Sequence, residues 1–176
     1  MKKTILNIFD FDGTLVDTQV PETGKAIWKE KTGNDWPHKG WWGRVESLDN
    51  EIFDQTPIKS TVTEYKRLVA DESGHTVMLT GRRKKLAKEV EIILADNNLV
   101  FDEYRYNYGG DTLSNKIEQI GNMLINMKDI KEINMFEDRV EHIGVFKQYF
   151  EGLVDKGRIN LFRLYQVTSD RELILR

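Results

Sequence analysis

Apolar residues along this chain follow two different spacings. Short runs rich in Ile, Leu, Val and Phe occur at 4–9, at Thr76-Val77-Met78-Leu79, across 101–106, at 133–136 and across 159–167. Their length and β-branched content predict buried strands. Between these runs the apolar residues recur three or four positions apart. Leu86, Val90, Ile93 and Leu94 mark one face of a helix over 83–97, and Ile117, Ile120, Met123, Leu124 and Met127 mark another over 112–127. Further helices are expected over 60–73 and 139–152. Strand and helix taking turns in this way predicts an α/β fold, a Rossmann-like parallel sheet with helices on both faces. Ligands in such folds bind beyond the carboxyl ends of the strands.

The stretch 19–58 breaks the rhythm. It holds Pro21, Pro37 and Pro57 and all four tryptophans. It is expected to be a small insertion after the first strand, leaving 1–18 and 59–176 as the core. A core of this size is within reach of a chain of 176 residues.

Composition removes several classes of function. With no cysteine, the chain has no disulfide, zinc–thiolate site or thiol nucleophile. A net charge of −3 provides no general attraction to nucleic acid or to an anionic membrane, so any polyanion site must be a local patch. No apolar run approaches the roughly 18 residues of a membrane span. The opening Met-Lys-Lys-Thr leads into an apolar stretch too short for a secretion signal. A soluble, cytoplasmic protein without an obligate protein partner is the expectation.

The first strand runs into Asp10-Phe11-Asp12-Gly13-Thr14-Leu15-Val16-Asp17. Burying carboxylates at a strand end is costly unless a cation or hydrogen bonds compensate. Asp10 and Asp12, one residue apart, therefore suggest a divalent metal. They also place a nucleophile beside a proton-transfer group. Leu79-Thr80-Gly81-Arg82 follows a later strand, where a strand end at Thr80 and a helix start soon after Gly81 would offer a hydroxyl and backbone N–H groups to a phosphate. Arg82 could add a bidentate contact. Thr112 or Ser114 could cap the helix that carries Lys116. Glu137-Asp138-Arg139 follows the strand at 133–136.

The Asp10–Thr14 pattern resembles the first motif of the haloacid dehalogenase (HAD) superfamily, and Thr80, Lys116 and Asp138 follow in the order of its other motifs. The resemblance implies a magnesium-dependent phosphatase acting through an aspartyl-phosphate, with 19–58 as a small helical cap over the site. It implies Asp10 as nucleophile, Asp12 as acid and base, and Thr80 and Lys116 as catalytic partners. It implies Asp10, Asp12 (through its carbonyl) and Asp138 as the Mg2+ ligands, with Glu137 orienting a metal-bound water. A second aspartate two residues after the nucleophile favours phosphoryl transfer over carbon–halogen cleavage.

Two finer likenesses bear on substrate. Leu-Thr-Gly-Arg with Glu-Asp-Arg resembles the 3′-phosphatase domain of polynucleotide kinase/phosphatase enzymes. Thr18, Pro21, Trp28, Gly40-Trp41-Trp42, Glu137-Asp138-Arg139, His142 and Phe146 resemble the Swiss Army Knife RNA repair-like branch. They imply a phosphorylated partner, an RNA or DNA end or a nucleotide, with Gly81, Arg82, Arg139, Trp41 and Trp42 binding it. A sugar-phosphate phosphatase and a non-catalytic module that docks phosphorylated ends are the alternatives. Trp36, Trp41 and Trp42 are open to two readings, a platform for stacking bases or the small core of the insertion. The basic run Arg82-Arg83-Lys84-Lys85 either guides a polyanion or forms a solvated helix start. His142, four residues beyond Asp138, either touches the site or makes a structural hydrogen bond.

Overall fold

A computed structural model describes residues 2–176, so the expected core segment 1–18 is seen from Lys2 onward. Its centre is a six-stranded sheet in the order β5-β4-β1-β6-β7-β8. Five strands are parallel: β1 (Ile5–Phe9), β4 (Gly74–Arg83), β5 (Glu103–Asn107), β6 (Glu132–Glu137) and β7 (Leu161–Val167). β8 (Leu173–Leu175) closes one edge antiparallel to β7. β2 (Val16–Asp17) and β3 (Thr56–Pro57) form a separate antiparallel pair.

Alternation along the strands divides the core in two, because successive side chains point to opposite faces. Leu6, Ile8, Val77, Leu79, Ile133 and Met135 face α4 (Thr112–Asn126) and α5 (Val140–Asp155), meeting Ile120, Met123, Phe146 and Phe150. On the other face Phe9, Met78 and Phe136 meet Tyr65 and Leu68 of α2 (Lys59–Val69) and Val90, Ile93 and Leu94 of α3 (Ala87–Asp96). Phe9, Phe136 and Tyr165 lie in register on neighbouring strands and stack, with ring centroids 4.4 and 4.7 Å apart.

The α/β fold with helices on both faces is thus as the sequence implies. Three local expectations are corrected. β4 does not end at Thr80. It runs on to Arg83 through an irregularity between Leu79 and Arg83, and a 3-10 turn (Lys84–Leu86) separates it from α3. The cap of α4 is Asp111, whose carboxylate accepts from Ser114 N–H at 2.8 Å, rather than Thr112 or Ser114. β8 and the small β2–β3 pair were not read from the sequence, since two- and three-residue strands leave almost no periodic signal.

The segment between β2 and β3 contains α1 (Pro21–Thr32) and a 3-10 turn (Val45–Leu48). Its centre is aromatic: Trp36 lies 5.1 Å from Trp28 and 4.5 Å from Trp41, and Trp41 lies 5.5 Å from Phe53. The Trp41 ring rests directly on α1 at Gly24, where a Cβ would come within 2.1 Å of the ring. Only glycine allows that approach. No helix among the described residues is long and apolar enough to cross a membrane.

Candidate active site

The carboxyl ends of β1, β4 and β6, the start of α4 and the segment between β2 and β3 enclose a cavity of about 310 Å³. Its floor is a charge cluster carried by consecutive elements. Asp10 follows β1, Glu137 ends β6 and Asp138 comes next, and Lys116 rises from the first turns of α4. The Asp10 N–H donates to Phe136 C=O at 3.0 Å, which joins the strand ends. A Cβ on Gly13 would lie 2.4 Å from Asp138 Oδ2, and Gly13 has φ +67°. Both facts require glycine where the turn after Asp12 passes the second acidic strand end.

Lys116, 1% exposed, donates to Glu137 Oε2 at 2.7 Å. Its ammonium is also 2.9 Å from Asp10 Oδ1. The angle there does not suit a hydrogen bond, so this contact is an ion pair. Burial disfavours the Lys116 charge, but Asp10 and Glu137 outweigh it and raise its pKa. Burial also works against ionisation of Glu137, yet Lys116, joined by His142, brings it down to about 2. His142 Nδ1 sits 3.6 Å from Glu137 Oε2, in contact but too far for a good hydrogen bond.

The other two carboxyls move the opposite way. Burial first, then the neighbouring Glu137 and Asp12, raise Asp10 to about 7 against the pull of Lys116. Burial, with Asp10 and Glu137 beside it, raises Asp138 to about 8. One lysine therefore faces three acids, and the floor lacks positive charge.

That deficit is the signature of a cation site. Oxygen atoms from Asp10, Glu137 and Asp138 all lie within 4.8 Å of one another. Asp138 Oδ1 is buried without a hydrogen-bond partner. An all-oxygen set of this kind suits Mg2+, which takes oxygen ligands and retains waters. The residues present therefore fit the ion. The carboxylate cluster contains Glu137 and not the Asp12 side chain, which is committed elsewhere.

Asp12 is held at the cavity wall. Its Oδ1 accepts from Thr18 Oγ at 2.7 Å and from Arg82 Nη2 at 2.8 Å, and its Oδ2 accepts from Arg82 Nε at 2.9 Å. Arg82 is buried, and its Nη1 donates to Trp42 C=O at 3.0 Å and to Ser47 Oγ at 2.7 Å. Its guanidinium carbon stands 5.0 Å from the Trp42 ring centre. Arg82 thus ties Asp12 to the segment between β2 and β3, and it also borders the cavity.

The remaining expected residues divide. Gly81, Arg139 and Trp42 border the cavity. Thr80 does not; it is buried, and its Oγ accepts from Arg82 N–H at 3.0 Å. Trp41 does not either: it is 3% exposed and its Nε1 donates to Gln19 C=O at 2.9 Å, so it belongs to the core of the insertion, whereas Trp42 is 37% exposed. Trp36 is partly buried in the same aromatic cluster. Lys84 and Lys85 lie away from the cavity, with Lys84 Nζ 4.9 Å from the Tyr106 ring. Thr18, Val20, Thr112 and Arg171 border the cavity without having been singled out as cavity residues. Of these, Thr18 and Thr112 carry a signal in the sequence, whereas Val20 and Arg171 carry none.

The family model for HAD domain family 1 in Swiss Army Knife RNA repair proteins matches residues 21–175. The chain belongs to that family. The match starts just after the Asp10–Asp17 motif and includes Thr80, Lys116 and Asp138. An uncharacterized protein of Saccharomyces cerevisiae, YMR265C, is 27% identical over 174 residues, covering 85% of this chain and 38% of that protein. The chain therefore spans well under half of that relative. Among solved structures, a chain of the Pnkp1/Rnl/Hen1 complex is similar with a TM-score of 0.54 and 14% identity, over 96% of this chain and 46% of that one. The HAD domain of the effector protein Lem4 from Legionella pneumophila gives 0.49 and 11% identity, over 93% and 85%. These two are likenesses of fold.

Proposed function

We propose that this HAD-family chain is a magnesium-dependent phosphomonoesterase that works through an aspartyl-phosphate, on nucleic-acid 3′-phosphates or nucleotides. The observation that carries the reading is the floor of the cavity. A buried Asp10 faces it beside Lys116, and Asp138 presents a carboxylate oxygen with no partner. Binding alone would not need a nucleophile in that position.

Asp10, Asp138 and the Asp12 carbonyl would hold the Mg2+, with Glu137 beside them to orient a bound water, and the ion would supply Lewis-acid polarisation of a phosphoryl oxygen. The chain's own groups do the rest. The Asp10 carboxylate attacks phosphorus and forms a new O–P bond. The ester P–O bond breaks, its electron pair stays on the leaving oxygen, and Asp12 supplies the proton. Asp12 then takes a proton from water as the water attacks phosphorus, and cleavage of the acyl-phosphate restores Asp10. Lys116 offsets negative charge beside Asp10 throughout. Arg82 and Thr18 orient the Asp12 carboxylate. The segment between β2 and β3 acts as a cap, contributing Val20 and Trp42 to the wall.

The family's place in RNA repair proteins supports a nucleic-acid or nucleotide substrate. So does an exposed tryptophan at the cavity wall, since an aromatic face accepts any base. The test is phosphate release with Mg2+ from p-nitrophenyl phosphate, sugar phosphates, mononucleotides and 3′-phosphorylated oligonucleotides. Release from the last two, faster than from sugar phosphates, is expected. No release from any substrate would overturn the reading.

A further inference from the structure

Arg171 borders the cavity and has no part in the proposed chemistry. Arg171 lies in the tight turn joining β7 to β8, where Arg171 N–H donates to Thr168 C=O at 3.0 Å. Its φ is +62°, a left-handed conformation that glycine adopts far more readily than arginine. Such outliers persist where the surroundings hold them, and they cluster at functional sites. The surroundings here do hold it. Ser60 Oγ at the start of α2 donates to Arg171 C=O at 2.5 Å, and Arg171 Nη2 donates to Asp17 Oδ1 on β2. Main chain and side chain are thus anchored to two separate elements, and the guanidinium is brought to the cavity edge.

A guanidinium has five N–H donors in a planar fork. Asp17 engages one nitrogen of Arg171; the others have no hydrogen-bond partner among the described residues. Arg139 borders the same cavity, and its guanidinium makes no ion pair among the described residues. Two arginines with free donors thus stand at the rim, beyond the Asp10–Lys116 floor. A single scissile phosphate is already served by the floor. Guanidinium forks match phosphate oxygens in a bidentate way.

We propose that Arg171, with Arg139, forms a second anion subsite, and that the substrate is an organic phosphomonoester bearing a further phosphate that reaches the rim of the same cavity. This deepens the reading of the site as a phosphatase and rests on it. The chemistry is met by a nucleoside 3′,5′-bisphosphate and by the last phosphodiester of a 3′-phosphorylated strand. It is not met by a singly phosphorylated metabolite.

The experiment compares kcat/KM for p-nitrophenyl phosphate, a nucleoside 3′-monophosphate, the matching 3′,5′-bisphosphate and a 3′-phosphorylated dinucleotide. Proteins are the wild type, Arg171→Gly and Arg171→Lys, each checked by thermal melt. Glycine accepts the positive φ, so the turn survives the loss of the side chain. The wild type is expected to prefer the two-phosphate substrates over the monophosphate by about 10- to 100-fold, the worth of a charge-assisted hydrogen bond, chiefly through KM. Arg171→Gly is expected to erase most of that preference while losing far less on p-nitrophenyl phosphate, and Arg171→Lys to keep part of it. A preference for the dinucleotide over the bisphosphate assigns the second anion to a strand, and the reverse assigns it to a free nucleotide. The proposal falls if the wild type shows no preference, if Arg171→Gly keeps it, or if all four substrates suffer alike. Calorimetric titration with the bisphosphate and the monophosphate separates this from the phosphatase reading. Arg171-dependent tighter binding of the bisphosphate in a protein that hydrolyses nothing would sink catalysis and leave the subsite standing.

Discussion

The floor of the cavity and its rim hold charge in opposite ways. On the floor, Lys116 is 1% exposed and Glu137 fully buried, and the Lys116 ammonium pairs with Asp10 and Glu137 across 2.7–2.9 Å. At the rim, Trp42, Arg139 and Arg171 remain partly open to solvent, and their polar groups are only partly engaged. The floor is built from strand ends that the sheet already holds in register. The rim comes from an insertion and a terminal hairpin. A charge on the floor is therefore tied to stability as well as chemistry, whereas a charge at the rim is free to serve recognition.

The largest effect is expected where the difference is starkest. Asp10→Asn retains shape and loses the proposed nucleophile, so turnover should fall by more than about 10³-fold, beyond the loss of a single transition-state donor. A folded Asn variant with substantial phosphatase activity would remove Asp10 from that role. The corresponding rim change, Trp42→Ala, should leave p-nitrophenyl phosphate turnover within a small factor.

Next comes the ion pair. Lys116→Met leaves Asp10 and Glu137 buried without their cation, and breaking a buried pair costs about 3–5 kcal/mol. Denaturant unfolding should show that loss. Glu137→Gln added to Lys116→Met should recover part of it, because one stranded charge is then gone. Equal stability of the single and double variants would mean that the two charges are not coupled.

These contrasts explain what the sequence disclosed. Asp10 and Asp138 each follow a compact apolar run, so their place at a strand end is written in the pattern. Lys116 is harder: a lysine on a helix is ordinary, and only its order between Thr80 and Asp138 set it apart. The backbone around Arg82 is the harder case, because Thr-Gly-Arg reads as a strand end opening into a helix. The backbone stays extended there, and a long-range partner, Asp12, draws the guanidinium inward. Arg171 was invisible, since the hairpin bringing it to the site has three residues in its last strand. The tryptophans showed that the insertion needs large side chains, but not which one would face the cavity. Trp41 and Trp42 are neighbours in sequence that point to different surroundings.

That last pair offers a finer test. Trp41→Ala removes a ring packed on Gly24 and Phe53. It should cost about 3–5 kcal/mol if the insertion unfolds with the core, and less if it unfolds separately. Every substrate should suffer. Trp42→Ala should change stability little and weaken oligonucleotide binding by about 1–3 kcal/mol, the worth of one stacked base. Thermal melts beside binding titrations distinguish them. Equal melting losses for both would erase the distinction between core and rim tryptophan.

The smallest effect concerns protons on the floor. Asp10 and Asp138 ordinarily titrate near 3.8 but are raised to about 7 and about 8 in the folded chain, chiefly by burial. Between pH 4 and 8 the folded, metal-free protein keeps protons that the unfolded chain has lost. Stability from these two groups is therefore fully present below about pH 4 and is lost as pH rises through 7 to 8. Glu137 works the other way: lowered to about 2, its contribution is present above its ordinary 4.5 and is lost as pH falls toward 2. From pH 5.5 to 8.5 only the first trend operates. Magnesium needs the carboxylates deprotonated, so it competes with those protons, and its apparent affinity should rise with pH across this window. Because a ligand stabilises by RT ln(1 + [L]/Kd), the gain in melting temperature from a fixed Mg2+ concentration should be larger at pH 8.5 than at pH 5.5. The difference should be worth about 2 kcal/mol if the Asp10 proton alone is displaced, at about 1.4 kcal/mol per pH unit between pH 5.5 and 7. Asp138→Asn should flatten the trend. A magnesium-induced shift that is the same at both ends of the window would show that the ion is not held by Asp10 and Asp138.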